Sequence, residues 1–398
     1  MNGQPDAPPS PRRLASIDAY RGGVMFLMMA EVLQLCTVAE ANPGSAFWRF
    51  VCYHQTHVEW VGCSLHDLIQ PSFSFLVGVA LPFSIAARVA RGQSRGRMAF
   101  HAFWRAFVLV ALGVFLRSVG QPRTNYTFED TLSQIGLGYG FLFLLGLRPT
   151  RDRVIALGVI LVGYWAAFAL SPAPGAEFDF PAVGVPADWP HHVRGFAAHW
   201  DKNSNPAWAF DRWFLNRFPR ESVFTANGGG YATLSFLPTL GTMILGLLAG
   251  EVPRGGRPPW SKVARLATAG LVLLAAGYAL GSFGICPVVK RIWTPSWVLF
   301  SGGWCLLLLA AAFAAIDVLP LGPLAFPLVV IGANSIAAYS LAHLVEGFLV
   351  GSFRTHLGPE VFQRFGAAYE PSVQGVAVLA ALWLVLFWMY RRRLFLRV

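Results

Sequence analysis

The chain has 398 residues, of which 55% are hydrophobic and only 13% charged, and it carries 14 Trp and 32 Phe. Soluble domains average roughly 25% charged, so an ordinary soluble fold is excluded; apolar blocks of about 20 residues are long enough to cross roughly 30 Å of hydrocarbon as helices. The net charge of +11 is read as a Lys/Arg bias of one set of loops, which sets aside a nucleic-acid partner.

Ten spans are predicted, over residues 17 to 37, 66 to 87, 100 to 119, 131 to 147, 153 to 170, 231 to 250, 263 to 282, 296 to 316, 324 to 350 and 372 to 390. The expected fold is an all-α polytopic membrane protein of about ten transmembrane helices, a single domain over 1–398. An even number puts both termini on one side. With the termini in the cytoplasm, the inner regions hold 19 Lys and Arg and 5 acidic residues, against 12 and 15 outside. That asymmetry follows the positive-inside rule and points to a multi-pass protein of the cell (inner) membrane. The N-terminal MNGQPDAPPSPRRLASIDAYRG lacks a short apolar run ending in a small-residue cleavage site, so the first span is expected to stay as an anchor.

At the start of that span, Ser16 reads as a helix cap with Asp18 and Arg21 paired at i, i+3. The next stretch, His57-Val-Glu-Trp60-Val61-Gly62-Cys-Ser-Leu-His66-Asp67-Leu-Ile-Gln70-Pro71, runs a cluster of ionisable groups into an apolar helix. Such groups are costly beside a bilayer unless they face a bundle interior or a wet cavity, so they are the leading site candidates. Asp67 shares a helical face with Gln70 and Ser74; capping or pairing with an Arg is the structural alternative. With the topology above, eight of the nine histidines fall outside or in the outer half of a span, His54, His57, His66 and His343 among them, and His101 alone lies near the cytoplasm.

Residues 171 to 230 hold seven Pro, four Trp and three His and form one long outer loop, whose aromatic content argues for an ordered cap. Stacking on sugar rings and anchoring at the membrane interface are both open for those Trp side chains. Further on, Lys290 and Arg291 in Cys286-Pro-Val-Val-Lys290-Arg291-Ile-Trp293-Thr-Pro-Ser-Trp297 run against the positive-inside trend, and so are candidates to bind phosphate or carboxylate, or to pair with Glu129 or Asp130. The ninth span carries Asn334, Ser335, Tyr339, His343 and Glu346 on neighbouring turns; a site is one reading and helix-to-helix hydrogen bonding the other. The five cysteines form no CxxC pair and no zinc-like Cys/His spacing, so no metal is expected; Cys52, Cys63 and Cys286 fall on the outer side, where a disulfide is allowed, and are read in preference as packed or free thiols.

Four motifs in this order, Ser-Ile-Asp18-Ala-Tyr-Arg21-Gly, His57-Val-Glu-Trp60-Val-Gly62 leading to Asp67 and Gly78, Pro287 to Ser296, and Gly332-Ala-Asn334-Ser335, make the chain resemble the heparan-alpha-glucosaminide N-acetyltransferase family and its bacterial relatives, from about residue 13 to 390. The resemblance implies a membrane acyltransferase that moves an acetyl group from acetyl-coenzyme A, as co-substrate, to an extracytoplasmic amino sugar or glycan. It makes His57 the active-site histidine and carries Lys290, Asn334 and Ser335 into the site. Val61 and Gln70 depart from the family pattern and bear on the acceptor.

Acyl transfer needs a base for the acceptor proton, and His has the unperturbed affinity nearest neutral pH. His57 as base or nucleophile, Asp67 as its orienting carboxylate and Asn334 or His343 as oxyanion donor is the expected constellation. His54, His66, Gln70, Arg291, Trp293 and Ser335 complete the candidate substrate wall with Lys290. Where coenzyme A binds is open: the Arg88 to Arg105 cluster suits nucleotide phosphates and equally an ordinary topogenic loop. The expected partners are the small-molecule donor, the sugar acceptor and the lipid bilayer, with a homodimer left open. A transporter or flippase for a lipid-linked sugar, and a scaffold with a glycan-binding cap, are the competing readings.

Overall fold

The computed structural model describes residues 14–319, 321–358 and 360–396; most of the N-terminal stretch read for a cleavage site, with Arg12 and Arg13 of the charge count, lies outside them. Among the described residues the chain is 72% helical without strands, an all-α polytopic membrane protein.

The helices are α1 (Ala15–Met29), α2 (Leu35–Ala41), α3 (Ala46–Gln55), α4 (Ile69–Ala90), α5 (Arg95–Ser118), α6 (Thr131–Gly146), α7 (Thr150–Ala169), α8 (Pro206–Phe214), α9 (Phe236–Arg254), α10 (Pro259–Ser282), α11 (Pro295–Ala312), α12 (Phe326–Ala333), α13 (Ser335–Leu357) and α14 (Glu370–Arg391). Eight helical stretches among the described residues are long and apolar enough to cross a membrane on their own. Two of the ten expected spans are interrupted. The first bends by 44° between Ala15–Leu33 and Leu35–Ala41, at Gln34, whose φ of 46° and ψ of 48° put a residue with a Cβ in the left-handed region. The ninth is broken at Asn334 into α12 and α13. α6, with 16 residues, is a short apolar helix in the place of the fourth span.

α9 is the axis of the bundle: 78% of its apolar window is enclosed, against 17% for α7 and for α10. The enclosure depends on glycine. A Cβ on Gly246 would fall on the carbonyl oxygen of Phe75, and one on Gly78 on that of Met243, so α4 and α9 touch backbone to backbone. Without a hydrophobic drive between helices in lipid, such close approach supplies the packing energy.

α1 and α12 make the same kind of seam, in which Gly22 faces the Leu328 carbonyl and Gly332 the Asp18 carbonyl. The Asp18 to Gly22 and Gly332 to Ser335 motifs therefore meet each other. Ser16 does not cap α1: the helix begins at Ala15 behind Leu14 without a side-chain cap, while Arg21 reaches Asp18 at 3.5 Å as expected.

Cys52 is not a free thiol: it is joined to Cys36 in a disulfide that ties α3 to α2, whereas Cys63 and Cys286 are free.

The 171 to 230 loop is ordered and packs over one end of the bundle. It carries α8 and three short 3₁₀ turns, Pro181–Val183, Gly195–Trp200 and Leu215–Arg217. Trp60, Tyr164, Phe168, Trp200, Val289 and Ile292 form an apolar cluster beneath it, and its Trp faces are thus in part structural. Where the loop meets α9, Asp211 accepts the Thr233 amide at 2.9 Å through Oδ2 while Oδ1 is buried without a partner. Burial raises this carboxyl to about 6.

A carboxyl with a raised folded pKa favours the fold when protonated, and its penalty grows as pH rises from near 4 through 6. Asp211→Asn, which keeps the acceptor oxygen, is expected to stabilise the protein by about 2 to 3 kcal/mol above pH 7 and by nothing at pH 4. Thermal unfolding of both proteins at the two pH values checks this.

Candidate functional site

The end of α1, the start of α4, the end of α5 and the start of α6 meet at the face covered by the long loop. At that face a cavity of about 440 Å³ opens, walled by side chains from each of these ends and by α13. The residues that give it chemistry come from two loops, the one before α4 and the one before α11.

Those loops are held together by backbone pairing. Val61 and Val289 form an antiparallel bridge, and the Gly62 amide donates to the Val288 carbonyl at 3.0 Å. Gly62 sits at φ +129°, a backbone conformation that a side chain would strain. The Trp-Thr-Pro-Ser motif folds the second loop. Thr294 Oγ1 accepts from the Val289 amide at 3.0 Å, donates to the Pro287 carbonyl at 2.8 Å and caps α11 through the Trp297 amide at 3.3 Å. Ser296 Oγ also donates to Pro287 at 2.6 Å. Lys290 is thereby aimed across at the first loop.

The result is a three-residue cluster. His57 Nδ1 lies 2.8 Å from Asp67 Oδ1, and Lys290 Nζ donates to the same oxygen at 3.1 Å. Nζ and Nδ1 are 3.0 Å apart because two donors share one acceptor. The other Asp67 oxygen accepts from the amides of Val58 at 3.2 Å and Ser64 at 3.0 Å and from Ser64 Oγ at 3.0 Å. Asp67 is 1% exposed and Lys290 4%, whereas His57 keeps 36% of its side chain open. A carboxylate so fully bonded fixes the imidazole tautomer, with the proton on Nδ1 and the lone pair on Nε2.

Burial, first, and the Lys290 charge hold His57 below the ordinary histidine value, against the opposing pull of Asp67. Burial likewise lowers Lys290, opposed by Asp67. A neutral, oriented imidazole at a cavity mouth is competent to accept a proton.

Of the other expected site residues, His66, Gln70 and His343 line the cavity. His66 Nε2 meets Glu31 Oε1 at 2.5 Å, and its ring stands 4.6 Å from that of His57. His343 stacks on Tyr339 with centroids 4.4 Å apart and donates from Nδ1 to the Tyr339 carbonyl at 2.8 Å. The remaining candidates lie elsewhere. His54 accepts from the Leu65 amide at 3.1 Å, holding the first loop. Arg291 donates to the carbonyls of Gly229 at 2.7 Å and Val58 at 3.2 Å, with Glu59 at 3.8 Å, so it pairs with neither Glu129 nor Asp130. Trp293 is buried and donates to Thr242 Oγ1 at 3.1 Å.

Asn334 is turned from the cavity: it donates to the Leu394 carbonyl at 2.7 Å and accepts from the Leu396 amide at 3.0 Å. Ser335 opens α13 beside it and does not line the cavity. For Asn334 hydrogen bonding is the arrangement observed, with backbone beyond the end of α14 as its partner. Arg88 and Arg91 close the far end of α4, where they bond Gln93 and the Ala87 carbonyl; the 22 residues of α4 put about 33 Å between its two ends, and the His57 loop is at the other one.

Glu31, Arg117, Asn227 and Tyr231 also line the cavity and were not singled out from sequence. Glu31 carried a readable signal, a carboxylate deep in an apolar segment. Glu129 and Asp130 complete the polar wall, with Glu129 raised by burial. One oxygen of Asp130 caps α6 through the Leu132 and Ser133 amides at 2.9 and 3.0 Å.

No family model matches the chain. Two curated relatives do. Heparan-alpha-glucosaminide N-acetyltransferase of Homo sapiens is 22% identical over 433 residues, covering 98% of this chain and 60% of that protein. The Mus musculus protein of the same name is also 22% identical, over 434 residues, covering 98% and 61%. The chain thus spans about three fifths of the length of these relatives, and the similarity supports a distant relationship.

Proposed function

We propose that the protein is a membrane-embedded acyltransferase that moves an acetyl group from acetyl-coenzyme A to an amino sugar or glycan outside the cytoplasm. The observation that carries the reading is the His57, Asp67 and Lys290 cluster at the mouth of a polar cavity, in a chain distantly related to enzymes named as N-acetyltransferases. In this reading the acceptor amine attacks the thioester carbonyl carbon while His57 Nε2 takes its proton. The carbon–sulfur bond then breaks, and coenzyme A leaves with the proton that His57 returns. Asp67 holds the tautomer throughout, and Lys290 lies where an ammonium N–H can meet the developing oxyanion. An acetyl group parked on His57 Nε2 is a variant of the same chemistry.

Both termini are on the cytoplasmic side in this proposal, so the donor's acetyl end must cross most of the bundle to reach His57. The test uses purified protein in detergent with radiolabelled acetyl-coenzyme A and a panel of amino sugars. Label transferred to a sugar by the wild type and lost in His57→Ala supports the proposal. Transfer unchanged in that variant removes His57 from the chemistry, and counterflow of an unmodified sugar in proteoliposomes, without label transfer, assigns transport instead.

A further inference from the structure

The proposed chemistry uses one face of His57 and leaves Glu31 and His66 without a task. Yet these three side chains converge: each offers one ligand atom, and the three atoms lie within 4.8 Å of one another. We infer that Glu31, His57 and His66 form a site for a divalent cation of the zinc class, and that a bound cation masks His57.

The donor set is two imidazoles and one carboxylate, which suits zinc and its neighbours and leaves a fourth position open toward the cavity. Bonds of 2.0 to 2.2 Å place tetrahedral donors about 3.4 Å apart. His66 and Glu31 now stand closer than that, at 2.5 Å, so an inserted cation would spread this pair by about 1 Å and draw the wider pairs together. Glu31 has the freedom to do so, with 59% of its side chain exposed, while His66 at 6% is held in place.

His57 is prepared in the way metal-binding histidines are. Its Nδ1 is committed to the Asp67 carboxylate, which orients the ring, raises its basicity and leaves Nε2 as the donor. Lys290 is the adverse feature, a cation 3.5 Å from Nε2. Its charge is already balanced by Asp67, so it weakens the site without closing it. The cation stands on geometry alone; the masking matters for turnover only if His57 is the base.

The test uses the full chain in detergent, stripped with chelator and titrated with cobalt, then with zinc. One zinc per chain after dialysis is expected, with the visible cobalt bands of a tetrahedral site. Glu31→Gln and His66→Ala should each weaken binding at least about 100-fold, beyond the 10 to 100-fold that loss of an outer-shell partner produces. His192→Ala, on the long loop, should keep the metal. Both ligand variants are compared with wild type by melting in zinc-free buffer, and His66→Gln replaces His66→Ala if the latter melts early. Zinc should also protect His57 from diethyl pyrocarbonate, read by mass spectrometry. No binding, or binding undiminished in both ligand variants, overturns the site; a bound zinc that leaves His57 modified at the full rate overturns the masking. Neither readout needs transferase activity, so a chain that transfers no acetyl group still decides the question.

Discussion

His57→Ala is expected to lower kcat/KM for acetyl transfer by about 10² to 10⁴-fold, the range for loss of a positioned base. The wild-type pH profile should separate a base from a binding group. Burial and Lys290 keep the imidazole below its ordinary value, so its neutral form persists down to lower pH than for a free histidine. Activity should be level through neutral pH and fall only below about 6.5, and the alanine variant should lose that acid limb along with the rate. Asp67 is the group that raises His57, so Asp67→Asn should move the limb to still lower pH while it removes the tautomer control. An acid limb that survives His57→Ala would assign the titration to another group.

The second large effect is structural. Gly246→Val is expected to destabilise the bundle by about 3 kcal/mol or more, the upper range of overpacking, because its new Cβ meets the Phe75 backbone and not a side chain that could swing aside. The variant should melt well below wild type in detergent and lose its monodisperse elution. Gly163→Val is the control: that glycine lies in α7 with nothing within 4 Å of the added carbon, and it should melt within a few degrees of wild type.

The bundle was legible because apolar blocks are long, and His57 and Asp67 because ionisable groups beside a membrane are rare. Lys290 was legible as a charge on the side where such charges are sparse. What escaped is what pairwise folding decides. Asn334 looked like a site residue because it is polar in an apolar span; its partners are backbone groups at Leu394 and Leu396, some 60 positions away. The Asp18 and Gly332 motifs stand more than 300 positions apart in sequence and prove to be two sides of one glycine seam. Arg291 is a candidate by the same charge argument as Lys290, and Trp293 by standing in the same motif, yet the turn sends each elsewhere. Glu31 escapes a sequence reading because its segment has the pattern of one uninterrupted span, whereas the helix bends at Gln34 and Glu31 lines the cavity.

The long loop and the loop carrying His57 share two fastenings: Trp60 Nε1 donates to the Trp200 carbonyl at 3.1 Å, and the Arg291 guanidinium joins the carbonyls of Gly229 and Val58. Trp60 is three positions from His57 and Val58 is its neighbour. A force that lifts the 171 to 230 segment is therefore transmitted to the imidazole within one or two residues. Asn227 and Gly229 of the same segment stand in the cavity wall, so a nick or an insertion far out on it should change together how His57 is aimed and what the cavity can hold.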